Sequence, residues 1–285
     1  MKIKLMDEKL YKYLINEKEE SCRVHSVFIH ACNLFTSRGL WLTLVSENRW
    51  LPPNGVKLNH NKDLRECFPQ GEHIRFSIRD QKIKLLDLKL STSNKKKKET
   101  RENKRVKLEY MKTYLALEGK GEAVGKAVLP GNIQASFRCL ERALEENSLG
   151  KIQTAARGLI GFGSGLTPSM DDYLTGRILM WKAWMMHCSV PMEEDYSKVI
   201  EEAARGRTTI PSEWMIRFAG EGRCSEEILH FLHTFFRKST GAAFDEAFRE
   251  VLKIGSTSGE DLIYGMCSEG SRLLKRYEGG SSEWD

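Results

Sequence analysis

The sequence predicts an α+β protein, with a β-rich N-terminal part that forms a curled sheet or partial barrel, followed by a mainly helical C-terminal part. Before residue 92, apolar and polar residues alternate with the two-residue period of strands, and after residue 109 the apolar residues recur at helical spacing. A lysine-rich tract separates the two patterns. We therefore expect a β-rich region at 1–92, a basic linker at 93–108 and a helical domain at 109–285.

Several segments of the N-terminal part have strand character. Residues 24–29 and 40–45 are rich in β-branched and aromatic residues, which predicts two strands. Residues 74–79 alternate apolar and polar side chains, and residues 82–85 resume the alternation after a short turn, which predicts a β-hairpin. A short helix is expected near residues 7–18.

The C-terminal part has helical spacing. Apolar residues at every third or fourth position between 174 and 188 predict a helix with one apolar stripe, and similar spacing predicts helices at 226–237, 242–252 and 261–274. The longest apolar stretch, 178–190, contains a lysine and is shorter than the ~20 residues of a membrane span. The charged N-terminus lacks the apolar core of a secretory signal, so we expect a cytoplasmic protein.

Cysteines and histidines show no metal-binding pattern. The seven cysteines are scattered without CxxC spacing, which is typical of reduced thiols in a reducing compartment. His230 and His233 lie one helical turn apart, but no acidic residue or cysteine completes a ligand spacing, which favours ordinary surface histidines. We expect no resident cofactor, with Mg²⁺ as the open alternative treated below.

The net charge of +6 is confined to one tract. Residues 91–107 contain eight basic and two acidic residues, so the rest of the chain is neutral overall and offers no broad surface for a phosphate backbone. We therefore expect neither nucleic acid nor a membrane as the main partner. The lysine run 95–98 indicates a solvated linker or the exposed start of a helix, and a basic arm that contacts RNA or an acidic subunit stays open.

The most informative segment is residues 161–172, Gly-Phe-Gly-Ser-Gly-Leu-Thr-Pro-Ser-Met-Asp-Asp. Its alternate glycines permit backbone angles closed to other residues and let the main chain approach a ligand closely. Pro168 is expected to be the first helical residue, and Ser169 and Asp172 have capping-box spacing. The segment therefore predicts a glycine loop that leads into a helix N-terminus.

Such a loop is a natural anion site. Unpaired N–H groups and the positive end of the helix dipole favour phosphate or carboxylate. A simple cap accounts for one hydroxyl, but not for three glycines, three hydroxyls and two adjacent carboxylates together: Gly161, Gly163, Gly165, Ser164, Thr167, Ser169, Asp171 and Asp172. The Gly-Lys-Ser/Thr of a P-loop and the preceding apolar strand of a dinucleotide fold are absent from the sequence.

Two later segments have the same character. Thr208 and Thr209 precede a proline and a predicted helix, and a second set of glycine, hydroxyl and acidic residues precedes the last apolar helix, namely Thr257, Ser258, Gly259 and Asp261. Each segment alone predicts a helix cap. Together they suggest the hypothesis that three helix N-termini converge on one anionic ligand.

These motifs resemble the AllH family. The matching residues are Gly161, Gly163, Gly165, Leu166, Thr167, Pro168, Ser169, Asp171 and Asp172, then Thr208, Thr209 and Ser212, then Gly255, Thr257, Ser258, Gly259, Asp261 and Gly265. In the N-terminal region, His25-Ser-Val-Phe28 and the loop at 53–58 fall in the expected order, so the resemblance spans nearly the whole chain. Met170 departs from the pattern, which has a small residue there and a wider loop.

The resemblance implies a subunit of a carbamoyltransferase of allantoin and purine degradation, which converts oxalurate and phosphate to oxamate and carbamoyl phosphate. It also implies FdrA-type and AllG-type partner subunits. The anion-holding role then falls to Gly163, Ser164, Gly165 and Thr167, and Asp171 or Asp172 orients a substrate N–H, holds a cation or caps the helix. Ser164 as a covalent nucleophile is less favoured, because no base lies near it in the sequence.

Three readings of this segment stay open at this stage. The first is a catalytic carbamoyltransferase component that works with partner subunits. The second is a non-catalytic subunit whose helix-end site binds a ligand or anchors a partner. The third is a hydrolase in which Asp171, Asp172 and Asp261 collect Mg²⁺.

Overall fold

The protein has a sheet-based first unit and a helical second unit, which confirms the predicted α+β class. The computed structural model describes residues 2–15, 20–76, 82–88, 98–119, 129–188 and 194–277. The first compact unit comprises Met1–Leu90 with Cys224–Glu226, and the second comprises Ser91–Arg223 with Glu227–Asp285. Residues 93–97 of the proposed linker, with three of the four lysines of the run 95–98, lie outside the described residues, and the rest of the proposed linker is described.

A mixed seven-stranded sheet forms the first unit. Its strands are β1 (Ile3–Asp7), β2 (Glu20–Val27), β3 (Ala31–Thr36), β4 (Trp41–Val45), β5 (Gly55–Leu58), β6 (His73–Phe76) and β7 (Lys82–Lys84). They lie in the order β6-β2-β3-β4-β5-β1-β7. The β4–β5 and β1–β7 pairs are parallel, and the other neighbours are antiparallel.

The core of this unit follows from the period-two pattern. Alternate side chains of β3 are buried, as expected for a strand with one face toward a core. Leu10 and Leu14 of the helix α1 (Glu8–Leu14) belong to the same apolar cluster as Leu34 and Val56. The predicted short helix is therefore present, and it packs on the sheet.

The predicted hairpin between residues 74–79 and 82–85 is wrong. β6 pairs with β2 and β7 pairs in parallel with β1, so the two strands lie at opposite edges of the sheet. A tight hairpin joins only antiparallel neighbours. The alternation indicated strands, but the side chains of β7 are all exposed and carry no information about the partner strand.

The second unit consists of helices in its described part. They are α2 (Arg101–Glu118), α3 (Gly131–Glu145), α4 (Leu149–Arg157), α5 (Ser169–His187), α6 (Ser197–Ala204), α7 (Ile210–Gly220), α8 (Glu226–Phe236), α9 (Gly241–Leu252) and α10 (Ser258–Arg276). The helices predicted near 174–188, 226–237, 242–252 and 261–274 are confirmed as α5, α8, α9 and α10. None of the helices in the described ranges is long and apolar enough to cross a membrane.

α5 is the central helix of this unit, and it differs from the predicted single-stripe helix. Its residues are buried on nearly every side, including Thr175 and Arg177. A Cβ on Gly176 would lie 2.1 Å from the carbonyl oxygen of Leu262, and a Cβ on Gly265 would lie 2.0 Å from that of Tyr173. The two glycines therefore let the backbones of α5 and α10 touch, which buries polar positions that the sequence pattern assigns to a solvated face.

A buried ion network also joins α5 to α10. Arg177 Nη2 donates to Glu269 Oε2 at 2.8 Å, and Arg272 Nη2 donates to Glu269 Oε1 at 2.6 Å. Glu141 of α3 and the Tyr173 hydroxyl bind the other end of the Arg177 guanidinium. Because the charges are paired, the network fixes the relative position of the two helices whose N-termini carry the candidate site.

Candidate functional site

The segment 161–172 forms an exposed turn that leads into α5, as the sequence predicts. Gly161, Gly163 and Gly165 have φ values of 80°, 128° and 90°, which L side chains rarely adopt. A Cβ on Gly161 would lie 2.7 Å from the carbonyl oxygen of Arg207, and a Cβ on Gly163 would lie 2.3 Å from the amide nitrogen of Ser169. The turn therefore depends on glycine both for its backbone angles and for its closeness to neighbouring main chain.

The main chain of this turn keeps a set of free donors. Residues 163–166 are exposed, and residues 167 and 169 are half-buried. Within the described part of the chain, no protein acceptor is bound by the N–H groups of Gly163, Ser164, Gly165, Leu166, Thr167 and Ser169. Free N–H groups beside a helix N-terminus are the elements of an anion site.

The predicted capping geometry of α5 is wrong. Pro168 is the N-cap rather than the first helical residue, and no side chain caps the helix. The Ser169–Asp172 capping box does not form, since the Asp172 N–H donates to Pro168 O and the Asp172 carboxylate does not accept from the Ser169 N–H. Met170 is fully buried and donates its N–H to Phe162 O at 3.0 Å, so its side chain packs inside the protein.

Asp171 ties the turn to the start of α7. Its carboxylate accepts from the Gly161 N–H at 2.8 Å and from the Thr208 hydroxyl. Burial raises its pKa above the ordinary value, while Thr208, Gly161 and the nearby Ser212 hydroxyl lower it. With both oxygens bound to protein donors, Asp171 positions the turn.

Thr209 connects the same two elements. It is the N-cap of α7, where its hydroxyl accepts from the Ser212 N–H at 3.3 Å, which confirms the cap predicted there. The same hydroxyl donates to Leu166 O in the exposed turn. The N-termini of α5 and α7 are therefore linked by side chains from both helices.

The N-terminus of α10 joins this group through one hydroxyl pair. Thr167 Oγ1 and Ser258 Oγ share a hydrogen bond of 2.9 Å. Thr257 is the N-cap of α10 without a side-chain cap, and its carbonyl oxygen accepts from the Asp261 N–H. The structure thus brings the first turns of α5, α7 and α10 together, as the hypothesis of three N-termini requires.

Asp172 has surroundings unlike those of Asp171. Its side chain is fully buried, and neither carboxylate oxygen has a hydrogen bond of good geometry to the described residues. Burial raises the pKa of Asp172 well above its ordinary value, and the neighbouring Asp261 and Asp171 act in the same direction. The hydroxyls of Ser258 and Thr167 lie close enough to lower it, so the carboxyl group is a neighbour of the hydroxyl pair that joins the starts of α5 and α10.

The remaining predicted site residues divide into exposed and packed positions. Ser164 is exposed and makes no side-chain hydrogen bond to the described residues. Gly259 lies against α9, since a Cβ there would be 2.1 Å from Val251 O, so any side chain at this position would collide with that helix. Asp261 is buried in the first turn of α10, near Asp172.

Sequence reasoning assigned no site role to Ser212, although its hydroxyl borders Asp171. Ser212 stands three residues after Thr209, which is the spacing of paired polar residues at a helix start. That spacing could have indicated that Ser212 lies at the candidate site. Nor did it assign a role to the packing glycines Gly176 and Gly265. Glycine in the middle of an apolar helix was the available signal for those two positions.

The described residues contain no group of three or more His, Cys, Asp or Glu side chains that is arranged to hold a metal ion. Asp171 is engaged by protein donors, and Asp172 is turned toward hydroxyls. The three aspartates proposed for Mg²⁺ therefore do not form a ligand set. A cavity of about 530 Å³ elsewhere in this unit is lined by other residues, among them Asn103, Tyr110 and Asp245.

The raised pKa of Asp172 makes a testable prediction about stability. A group whose pKa is higher in the folded protein contributes stability that is complete below its unfolded pKa and is lost as pH rises through the folded pKa. Asparagine does not titrate, so Asp172→Asn is expected to gain stability over wild type as pH rises from 4 to 8, by more than about 1 kcal/mol. Urea unfolding followed by helical circular dichroism measures the difference.

Asp195 provides a control of opposite sign. Burial acts against its charged form, but Lys182 and Ser197 outweigh it and lower the pKa of Asp195 below the ordinary value. Its stability contribution is present above the unfolded pKa and is lost as pH falls, so Asp195→Asn is expected to lose stability relative to wild type as pH rises. A difference between Asp172→Asn and wild type that stays constant from pH 4 to 8 would contradict the assignment.

Comparison with known proteins gives two matches. A family model described as oxamate carbamoyltransferase subunit AllH matches residues 159–269, which contain all three helix starts. A second model, the AllH family N-terminal domain, matches residues 2–97. No solved structure matches the chain. Since the two models together cover most of the sequence, the chain belongs to the AllH family, the family of the AllH subunit of oxamate carbamoyltransferase.

Proposed function

We propose that this chain supplies the anion-binding part of a carbamoyl-transfer site, where oxalurate and phosphate give oxamate and carbamoyl phosphate. The observation that carries the proposal is the set of six free N–H groups in the exposed turn before α5. Phosphate, oxalurate and carbamoyl phosphate are all anions, and free amides at a helix N-terminus suit each of them. Membership of the AllH family supports the same reaction.

The reaction balances without a redox partner. A phosphate oxygen attacks the carbamoyl carbon of oxalurate, and the bond from that carbon to the amide nitrogen of the oxamate part breaks. The electron pair of that bond stays on the nitrogen, which takes up a proton, and the phosphate oxygen becomes bonded to the carbamoyl carbon. The chain's task is therefore to hold two anions together and to stabilise the negative oxygen that develops on the carbamoyl carbon.

The turn suits that task. Fixed N–H donors stabilise a developing oxyanion by about 3–4 kcal/mol for each donor, and holding two reactants in register contributes a further large part of the rate. In this proposal Gly163, Ser164, Gly165 and Thr167 hold the anions. Asp171 keeps the turn in place through Gly161 and Thr208.

Direct transfer between the two substrates is favoured over a covalent serine intermediate. Ser164 is exposed and has no base bonded to its hydroxyl among the described residues. A serine hydroxyl without such a base is a weak nucleophile at neutral pH. Phosphate is itself the nucleophile in the proposed reaction.

The proposed partners are FdrA-type and AllG-type subunits. The family is named as a subunit, which supports a complex in which the other chains contribute part of the catalytic machinery. Purified protein, alone and mixed with these two partners, is tested with oxalurate and phosphate. Carbamoyl phosphate, detected by phosphorus NMR, is the expected product of the mixture.

The control for this experiment is a site-specific variant in the same complex. Gly165→Ala is expected to lower the rate about tenfold or more, because φ at this position is 90° and an L side chain strains the backbone there. A steric collision does not contribute, since no neighbouring atom lies within 4 Å of the added Cβ. Gly150→Ala, also in open space but on α4, is expected to leave the rate unchanged. Equal rates for all three proteins would contradict the proposed site.

A further inference from the structure

We infer that the Asp172 carboxyl group recognises the carbamoyl group, H₂N–C(=O)–, of a ligand whose acid end is held by the exposed turn. The inference rests on the proposed function and assigns the two adjacent carboxylates different roles. Asp171 is a positioning residue, whereas Asp172 contacts the ligand. The site then selects anions that carry a primary amide-like end over simple anions.

The two adjacent aspartates differ in how their oxygens are bonded. Asp171 is saturated by the Gly161 amide and the Thr208 hydroxyl. Asp172 is equally buried, yet both of its oxygens lack a hydrogen bond of good geometry within the described residues. The Thr167 and Ser258 hydroxyls lie near it but are bonded to each other, so the carboxyl group keeps unused hydrogen-bonding capacity. Unused capacity at a buried position costs about 1–3 kcal/mol, which a ligand that bonds to the carboxyl group would recover.

The neighbours of Asp172 determine which kind of ligand group fits it. The groups that face Asp172 are Asp171 on its own helix, Asp261 of α10, and the hydroxyls of Thr167 and Ser258. No cation is among them, so the surroundings favour the neutral carboxyl form, in agreement with the raised pKa of Asp172. A neutral carboxyl group has one O–H donor and one carbonyl acceptor side by side.

A carbamoyl group is complementary to a neutral carboxyl group. A carbamoyl group presents an N–H donor and a C=O acceptor side by side, so it pairs with a neutral carboxyl group through two hydrogen bonds in a ring. A carboxylate ion offers only acceptors and cannot complete that ring, and an acetyl group has the C=O acceptor without the N–H donor. The carboxyl end therefore distinguishes a carbamoyl ligand from the simple anion that the turn alone would bind.

Access to Asp172 is through its two hydroxyl neighbours. Thr167 and Ser258 are bonded to each other next to the buried carboxyl group, and both of them are only half-buried. The ligand reaches the carboxyl group by separating this pair. This separation breaks the hydrogen bond between the two hydroxyls. The two hydrogen bonds between the carboxyl group and the carbamoyl group replace it.

The test uses two ligands that share the anion and differ in one group. Carbamoyl phosphate and acetyl phosphate have the same phosphate and carbonyl, but one has NH₂ where the other has CH₃. Each ligand is freshly prepared and titrated into the full chain in a calorimeter. Wild type is expected to bind carbamoyl phosphate at least about tenfold more tightly than acetyl phosphate. Inorganic phosphate serves as the reference for the anion end.

Three variants separate recognition from folding. Asp172→Leu is expected to remove the preference for carbamoyl phosphate while inorganic phosphate still binds. Asp172→Asn, whose amide also offers a donor and an acceptor side by side, is expected to keep the preference within about threefold. Should Asp172→Leu fail to fold, Asp172→Ala replaces it, and circular dichroism verifies each fold.

The outcomes distinguish this inference from the proposed function. Binding of phosphate without any preference for the carbamoyl ligand, or an unchanged preference in Asp172→Leu, overturns the inference and leaves the anion site intact. No binding of phosphate or of either acyl phosphate overturns both. A preference that disappears in Asp172→Leu and survives in Asp172→Asn supports the inference.

Discussion

Gly163→Ala is expected to lower the affinity of the chain for phosphate and oxalurate about a hundredfold. At φ 128° the alanine side chain is strained, and its Cβ would lie 2.3 Å from the amide nitrogen of Ser169. The main chain must therefore shift at the two positions whose N–H groups face the ligand in our proposal. Loss of two amide hydrogen bonds costs about 2–3 kcal/mol, which corresponds to that hundredfold change.

A graded set of variants isolates the cause of this loss. Gly165→Ala has the backbone strain without the collision, since nothing lies within 4 Å of its Cβ, so a smaller loss is expected. Gly150→Ala on α4 has neither effect and is the control for alanine substitution. Calorimetry with inorganic phosphate measures all three. Unchanged affinity in a folded Gly163→Ala protein would show that the turn does not hold the anion.

Glu269→Ala is expected to destabilise the second unit by about 3–5 kcal/mol. Glu269 is fully buried, and its two oxygens bind the guanidinium groups of Arg177 and Arg272. Its removal leaves Arg272 without its carboxylate and Arg177 with only the partly exposed Glu141. Breaking a buried ion network by deleting one member is costly, because the desolvated charges that remain are no longer compensated.

The matched control is an exposed carboxylate. Glu146 pairs with Lys151 at 2.6 Å, but 67% of the lysine side chain and 40% of the glutamate side chain are accessible. Glu146→Ala is therefore expected to change stability by less than about 1 kcal/mol. Urea unfolding followed by circular dichroism gives both values. If both variants changed the free energy of unfolding by similarly small amounts, the buried ion network would not be what holds α5 and α10 together.

The glycine-containing turn at 161–167 is the part of the candidate site that can be predicted best from the sequence. Three glycines at alternate positions indicate backbone angles that other residues rarely adopt, and all three have positive φ values. The proline and the polar residues that follow them indicate the helix start after Pro168. The hydroxyl-rich starts of α7 and α10 are equally local features. What brings them together is tertiary, because Thr208 reaches Asp171 and Ser258 reaches Thr167 only after the helices pack.

The difference between Asp171 and Asp172 lies beyond the sequence. Consecutive residues of a helix point about 100° apart, so two adjacent carboxylates necessarily face different neighbours. Which neighbour each one meets depends on the crossing of α5 with α10, and that crossing is set by Gly176 and Gly265. The strand order of the first unit is hidden for a similar reason, since β7 has no buried side chain to indicate its partner.

The central claim is that free amide hydrogens of the turn before α5 bind a negatively charged reactant. It is tested most directly by titrating the ¹⁵N-labelled chain with inorganic phosphate and following its amide resonances. Our account predicts saturable shifts concentrated in residues 163–169, with smaller shifts at the starts of α7 and α10. Absence of shifts in the turn, or shifts clustered instead at the cavity lined by Asn103, Tyr110 and Asp245, would contradict it.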